Sequence, residues 1–141
     1  MNKGTYLLVC LHNHSATQPI RFGAAGNRAI PPGYLVYVGS AFGPGGFARI
    51  SRHSDIAAGE RDVRHWHIDY LLGQESISLE TTYQFPGSAN ECQLAQSIRG
   101  DPIDGIGASD CPCNSHLFAI PSMASLASLV DRFDGTEFRP Q

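Results

Sequence analysis

The chain has 141 residues and a formal net charge of −3 at pH 7. This length predicts a single domain over residues 1–141. The acidic balance argues against a non-specific nucleic-acid coat, which would be strongly basic, although a local group of arginines is enough to hold a few phosphates. Charged residues make up 16% of the chain, which excludes a highly charged, disordered protein.

Apolar runs in the sequence are all shorter than the roughly 20 residues that a membrane-spanning helix needs, so no membrane association is expected. The first run, residues 6–11, is also too short for a signal peptide, and no small-residue cleavage site follows it. We therefore expect a cytoplasmic protein.

Two strands are the clearest elements of the N-terminal part. Residues 5–11 are apolar on both faces, which predicts a strand in the middle of a sheet. Residues 12–33 are rich in glycine and proline and predict a hairpin-like insert with a short strand at 20–22. A second main strand follows at 34–39, because turn residues bound it on both sides.

The middle of the chain combines helices with one regular strand. A helix is predicted to begin near Gly46 and to end before Gly59, and a short helix or turn covers residues 65–72. Apolar and polar residues alternate over 77–85, which predicts a strand with all its odd-numbered residues on one side.

The C-terminal part predicts two more helices and one strand. Ser88-Ala-Asn-Glu91 matches a capping box, and Gly100 supplies the stop for that helix. Residues 116–120 read as a last strand, and 122–133 carry the apolar stripe of a terminal helix. The predicted fold class is α+β, with a small central antiparallel or mixed sheet flanked by helices.

The residues suited to catalysis occur in a regular order along these elements. Tyrosines lie on both main strands, in Gly4-Thr5-Tyr6 and Tyr37-Val38-Gly39. Arg49 and His53 are four residues apart on the next predicted helix and so share one face. A carboxylate, Glu91, opens a later helix.

This order resembles the GIY-YIG nuclease superfamily. Together with HWHIDYL at 65–71 and SDCxCxSHL at 109–117, it is similar to a little-characterised branch of small GIY-YIG-like proteins, found alone or fused to DNA-repair glycosylases. The resemblance covers nearly the whole chain. It departs from the superfamily in the long segment 7–36 between the tyrosines, where the superfamily has a short hairpin, and in the late asparagine, for which Asn114 is the nearest candidate.

The resemblance implies a GIY-YIG-like fold and a divalent-metal-dependent nuclease that acts on nucleic acid, with DNA preferred over RNA. It implies Mg²⁺ or Mn²⁺ as cofactor, a role in DNA repair, and a DNA-repair glycosylase as partner. Carried over residue by residue, it assigns metal binding to Glu91 and catalysis to Tyr6, Tyr37, Arg49 and His53.

These residue types fit the chemistry of phosphodiester hydrolysis, which needs charge stabilisation, a positioned water and help for the leaving oxygen. A carboxylate such as Glu91 suits Mg²⁺, and an arginine such as Arg49 suits a phosphate. Tyr6 or Tyr37 could accept the proton of the water. The resemblance favours Tyr6 as this base, and the residues alone leave both open.

Each assigned residue also has a structural interpretation. Tyrosines in strands often pack in the core, Arg49 could be a solvated helix residue, and Glu91 could only cap its helix. A second hypothesis is therefore a catalytically inactive nucleic-acid or protein binding module on the same scaffold.

A third hypothesis is a structural zinc site. Cys111, Cys113 and His116, joined by Cys92 or by the pair His65 and His67, have the chemistry of zinc ligands. Their spacing lacks the usual Cys-x-x-Cys pair. Asp110 could instead pin this loop near the active site.

Further polar residues are candidates for a supporting shell or for contacts with phosphates. Asp69 could bond to His65 or His67 around the site or within the core, and Arg64 lies in a mixed-charge stretch typical of a solvated loop. The full set of these candidates is Arg52, Arg64, His65, His67, Asp69 and Asp110.

Overall fold

The computed structural model describes ten segments of the chain, which are 4–13, 19–22, 26–40, 46–59, 67–74, 76–86, 91–98, 100–103, 116–133 and 135–138. Eight strands lie in these segments: β1 Gly4–His12, β2 Ile20–Arg21, β3 Asn27–Arg28, β4 Gly33–Ser40, β5 Ile77–Pro86, β6 Asp101–Pro102, β7 Leu117–Ile120 and β8 Thr136–Phe138. The helices are α1 Ala48–Ala57, α2 His67–Leu72, α3 Glu91–Ser97 and α4 Ala127–Arg132, with a 3₁₀ turn at Met123–Leu126.

Six of the strands form one antiparallel sheet in the order β6-β7-β4-β1-β5-β8. The α+β class predicted from the sequence is confirmed. As expected from its apolar residues on both faces, β1 lies inside the sheet, where it pairs with β4 on one side and β5 on the other.

Apolar clusters cover both faces of this sheet. Alternate residues of a strand point to opposite faces, so Tyr6, Leu8 and Cys10 belong to one cluster while Leu7 and Val9 belong to the other. We call the side of Tyr6 the first face and the side of Leu7 the second face.

Helices pack on each face. On the first face α1 packs against α2, and both helices contact β5. On the second face lie α3, which contacts β4, and the helical segment formed by the 3₁₀ turn and α4. Within the described segments, no helix has the length and apolar character needed to cross a membrane.

The prediction that one side of β5 carries all its odd-numbered residues is wrong. Thr81 pairs with Val9 and Leu79 pairs with Cys10, so Glu80 is an extra residue that forms a β-bulge. Consequently Leu79 packs on the first face whereas Phe85 packs on the second. The alternation of apolar residues continues through the bulge, but the side that they face changes.

The hairpin formed by β2 and β3 lies within the segment predicted as an insert. Its apolar residues are integrated into the first-face cluster: Phe22 is fully buried, and Ile20 and Ile30 are buried beside it. β2 packs against α2. The hairpin therefore extends the core on the side of the sheet that carries Tyr6.

Candidate functional site

A hydrogen bond joins Tyr6 on β1 to His53 on α1. The Tyr6 hydroxyl oxygen lies 2.8 Å from Nε2 of His53, and the ring centroids are 5.6 Å apart. Tyr6 is 3% exposed and His53 is 0% exposed, so the bond forms in a setting from which bulk water is excluded. Either the phenol donates to the unprotonated nitrogen or the protonated nitrogen donates to the phenol oxygen. The arrangement can therefore hold or move a proton.

Both glycines of the two tyrosine motifs are required by close packing. Gly39 lies opposite Tyr6, and a Cβ atom at this position would be 2.5 Å from the Tyr6 hydroxyl oxygen. A Cβ atom at Gly4 would collide with the backbone oxygen of Phe85 and would lie 3.0 Å from Cζ of Phe47. The motifs thus have a steric cause that is independent of any chemistry.

Tyr37, the second predicted tyrosine, shares the first face with Tyr6. It lies opposite Leu8 on β1, two residues along β4 from Gly39, and it packs half-buried against the first-face cluster. Such diagonal positions on neighbouring strands are close enough for long side chains to approach each other. The fold therefore brings both tyrosines to one side of the sheet.

Arg49 lies in the first turn of α1, one helical turn before His53. Residues four apart share a helix face, so the backbone places position 49 on the side that carries His53 towards the sheet. The side chain of Arg49 lies outside the described part of the structure.

Arg52 and Asp69 form a two-pronged ion pair between α1 and α2. The Arg52 nitrogens Nη1 and Nη2 donate to Oδ1 and Oδ2 of Asp69 at 3.0 and 2.9 Å. The Asp69 side chain is 0% exposed and that of Arg52 is 18% exposed. The sequence suggested both residues separately, with a histidine as the partner of Asp69. The pairing with Arg52 was missed because no local pattern links two residues on different helices.

Glu91 is the first residue of α3, and its side chain lies outside the described part of the structure. The stripe predicted for this helix is buried: Leu94, Ala95 and Ile98 all pack in the second-face cluster. α3 therefore lies on the opposite side of the sheet from α1. Position 91 follows closely after Pro86, which pairs with Gly4 at the end of the sheet where Tyr6 lies.

The remaining candidates are only partly within the described segments. His116 precedes β7, is 1% exposed, and accepts a hydrogen bond from the Val38 amide through its backbone oxygen at 2.8 Å. Outside the described residues or side chains lie Arg64, His65, His67, Cys92, Asp110, Cys111 and Cys113. In the described segments no three His, Cys, Asp or Glu side chains form a group that could hold a metal ion.

Cys10 lies on the first face, four residues after Tyr6 on β1. Burial, with a smaller contribution from the negative charge of Glu80, raises the pKa of the Cys10 thiol to about 12. A thiol held in its neutral form is a poor nucleophile and a poor metal ligand. Cys10 is therefore a core residue of this face.

Comparison with known proteins identifies one family. A family model described as "Domain of unknown function DUF123" matches residues 5–136. No curated protein and no solved structure matches the chain.

Proposed function

Since the chain belongs to the DUF123 family, a domain of unknown function, we propose a function from its own residues: a divalent-metal-dependent nuclease that hydrolyses phosphodiester bonds. The observation that carries the proposal is the buried hydrogen bond between Tyr6 and His53. This bond couples a phenol to an imidazole, a combination that can take a proton from water and hold it. Tyr37 supports the proposal because it occupies the same face.

The proposed roles follow from the chemistry of each group. Tyr6 acts as the general base, and His53 orients its hydroxyl and shares its proton. Arg49 binds a phosphoryl oxygen through its planar guanidinium. The cofactor, Mg²⁺ or Mn²⁺, would supply charge stabilisation when bound. Glu91 fits such an ion through a hard carboxylate oxygen, with waters completing the shell.

The proposal includes the biological setting that the GIY-YIG resemblance implies. The substrate is nucleic acid, with DNA before RNA, and the activity belongs to DNA repair in the cytoplasm, with a DNA-repair glycosylase as partner. Because the chain carries a net charge of −3, we expect binding to depend on a few arginines and to weaken as the salt concentration rises.

The nuclease proposal, unlike a binding module without turnover, requires Glu91 and Tyr6 to reach one shared site. α1 with His53 lies on the first face and α3 on the second, so Glu91 must approach the Tyr6 side around the end of the sheet. Mn²⁺ tests this because its unpaired electrons broaden nearby NMR signals. Broadening of the Tyr6 and His53 signals, absent in Glu91→Gln and retained in Glu80→Gln, is the expected result. Broadening confined to α3 would contradict a shared site.

Activity is tested directly on branched, nicked and single-stranded DNA with Mg²⁺ or Mn²⁺. We expect cleavage by the wild type, and a loss on the order of 10²-fold or more in Tyr6→Phe, which removes only the hydroxyl. Tyr34→Phe is the matched control, since Tyr34 lies on β4 and packs on the second face. The nuclease proposal is rejected if the wild type cleaves none of these substrates or if Tyr6→Phe cleaves equally well.

A second candidate is a binding module without turnover on the same scaffold. The near-complete burial of Tyr6 and His53 favours it, because a catalytic base must reach water. This alternative predicts salt-sensitive binding of nucleic acid without cleavage. Binding that survives the double substitution Arg49→Ala and Arg64→Ala would count against it.

A further inference from the structure

Two consecutive residues hold α1 from two directions. His53 points to the sheet and meets Tyr6, whereas Arg52 points to α2 and meets Asp69. Consecutive residues of an α-helix are about 100° apart around its axis. The two bonds together therefore restrict both the rotation of α1 about its axis and its sliding along the sheet.

The ion pair between Arg52 and Asp69 resists movement of α1 relative to α2. Both guanidinium nitrogens bond to separate oxygens of one carboxylate, and such a paired geometry is sensitive to orientation as well as to distance. The Asp69 side chain is fully buried, so its charge depends on partners supplied by the protein. A shift of α1 would weaken both bonds at once.

α2 is itself a firm support for this contact. Ile68, Leu71 and Leu72 are buried in the cluster that contains Tyr6, and the helix also packs against β2 and β5. Asp69 thus projects from an element that is anchored independently of α1. A carboxylate fixed in this way can set the position of α1 through its bonds to Arg52.

We propose that Asp69 is a positioning residue, which acts through Arg52 to set α1 so that His53 meets the hydroxyl of Tyr6. The inference rests on the proposed function, which gives the Tyr6–His53 bond its role. It adds that the HWHIDYL segment contributes to the site through the carboxylate of Asp69 and not only through its apolar residues. A misplacement of about 1 Å between catalytic groups can lower a rate on the order of 10²-fold.

The test reads the Tyr6–His53 bond itself and needs no catalysis. The ring-nitrogen NMR signal of His53 is recorded in the wild type and in Tyr6→Phe, which defines the signal of the broken bond. Asp69→Asn keeps the shape of the side chain but removes its charge and one acceptor. We expect the His53 signal of Asp69→Asn to move towards that of Tyr6→Phe, with a fall in kcat on the order of 10²-fold where cleavage is measured.

Leu129→Ala is the control for a general loss of stability, because Leu129 is buried on the second face, away from α1. It should keep the wild-type His53 signal. The double variant Arg52→Met with Asp69→Leu replaces the ion pair by apolar packing and allows the fold to survive without it. We expect the displaced His53 signal in this variant as well.

If Asp69→Asn folds and shows the wild-type His53 signal, the inference is overturned. If Asp69→Asn does not fold, the same signal in the double variant overturns it. Failure of both variants to fold also overturns it, since the pair would then support the whole fold and not the setting of one helix. Absence of nuclease activity in the wild type would reject the proposed function but leave the NMR result standing.

Discussion

The ring of Tyr6 occupies the space that a side chain at Gly39 would fill, so the tyrosine of one motif and the glycine of the other are a matched pair across two strands. The match explains why Tyr6 of the first motif occurs together with Gly39 of the second. It also connects the packing of the sheet to the hydrogen bond between Tyr6 on β1 and His53 on α1.

Gly39→Ala is expected to displace the Tyr6 ring and to destabilise the protein by about 1–3 kcal/mol, because the added methyl group overpacks the site. Urea denaturation measures the loss. In a Tyr6→Ala background the ring is absent, so the same substitution should have a much smaller effect. Equal losses in the two backgrounds would show that the two residues do not compete for space.

Arg52→Ala is expected to destabilise the fold by about 3–5 kcal/mol, since it removes the bidentate partner of a fully buried carboxylate. Arg132→Ala is the matched control at the exposed end of α4, where the arginine lies 5.4 Å from the ring of Phe133 and should contribute no more than about 1 kcal/mol. Denaturation curves for both variants provide the comparison. Similar losses would contradict a special role for the ion pair.

Cys10 should resist thiol reagents in the folded protein at neutral pH. Burial raises the pKa of this thiol to about 12 from 9.0, so the thiol stays protonated in the folded protein. Brief alkylation followed by peptide mass analysis should label Cys10 only after unfolding. Rapid labelling of Cys10 in the native protein would contradict the described burial.

The raised pKa of Cys10 also predicts a dependence of stability on pH. Above pH 9.0 the unfolded chain releases the thiol proton while the folded protein keeps it, so the contribution of this thiol to stability falls as the pH rises towards 12 and is constant below 9.0. Cys10→Ala removes this dependence. The measured quantity is the difference in unfolding free energy between the wild type and the variant across alkaline pH, which should narrow as the pH rises.

Phe22→Ala is expected to cost about 3–5 kcal/mol of stability, because the ring is fully buried in the first-face cluster. Arg21→Ala, on the exposed side of the same hairpin, should change stability by less than about 0.5 kcal/mol. Thermal or urea denaturation distinguishes the two. Comparable small effects would mean that the hairpin is an accessory loop and not part of the core.

Local patterns in the sequence were enough to predict the central elements of this fold. β1 and β4 were predictable because they are apolar runs bounded by turn residues, and α1 because glycines flank a helical segment. β8 was not predicted, since three exposed residues carry little signal and become a strand only through pairing with β5. The bulge at Glu80 was hidden because apolar residues continue to alternate through it.

The sequence predicted residues of the candidate site but not the contacts between them. The sequence placed Tyr6, Tyr37 and His53 on the right elements, but the bond between Tyr6 and His53 depends on how α1 docks on the sheet. The pairing of Arg52 with Asp69 depends likewise on contact between helices. Such contacts follow from tertiary packing, for which neither spacing nor propensity gives a signal.

The extra residue in β5 determines how this strand would respond to a change in length. Deleting Glu80 would make Leu79 and Thr81 consecutive, and consecutive residues of a regular strand point to opposite faces, so Leu79 and Phe85 would each stay in their own cluster. Because only Glu80 is surplus to the pairing with β1, β5 should tolerate the loss of this residue, whereas regular pleating with Glu80 retained would move either Leu79 or Phe85 to the opposite cluster.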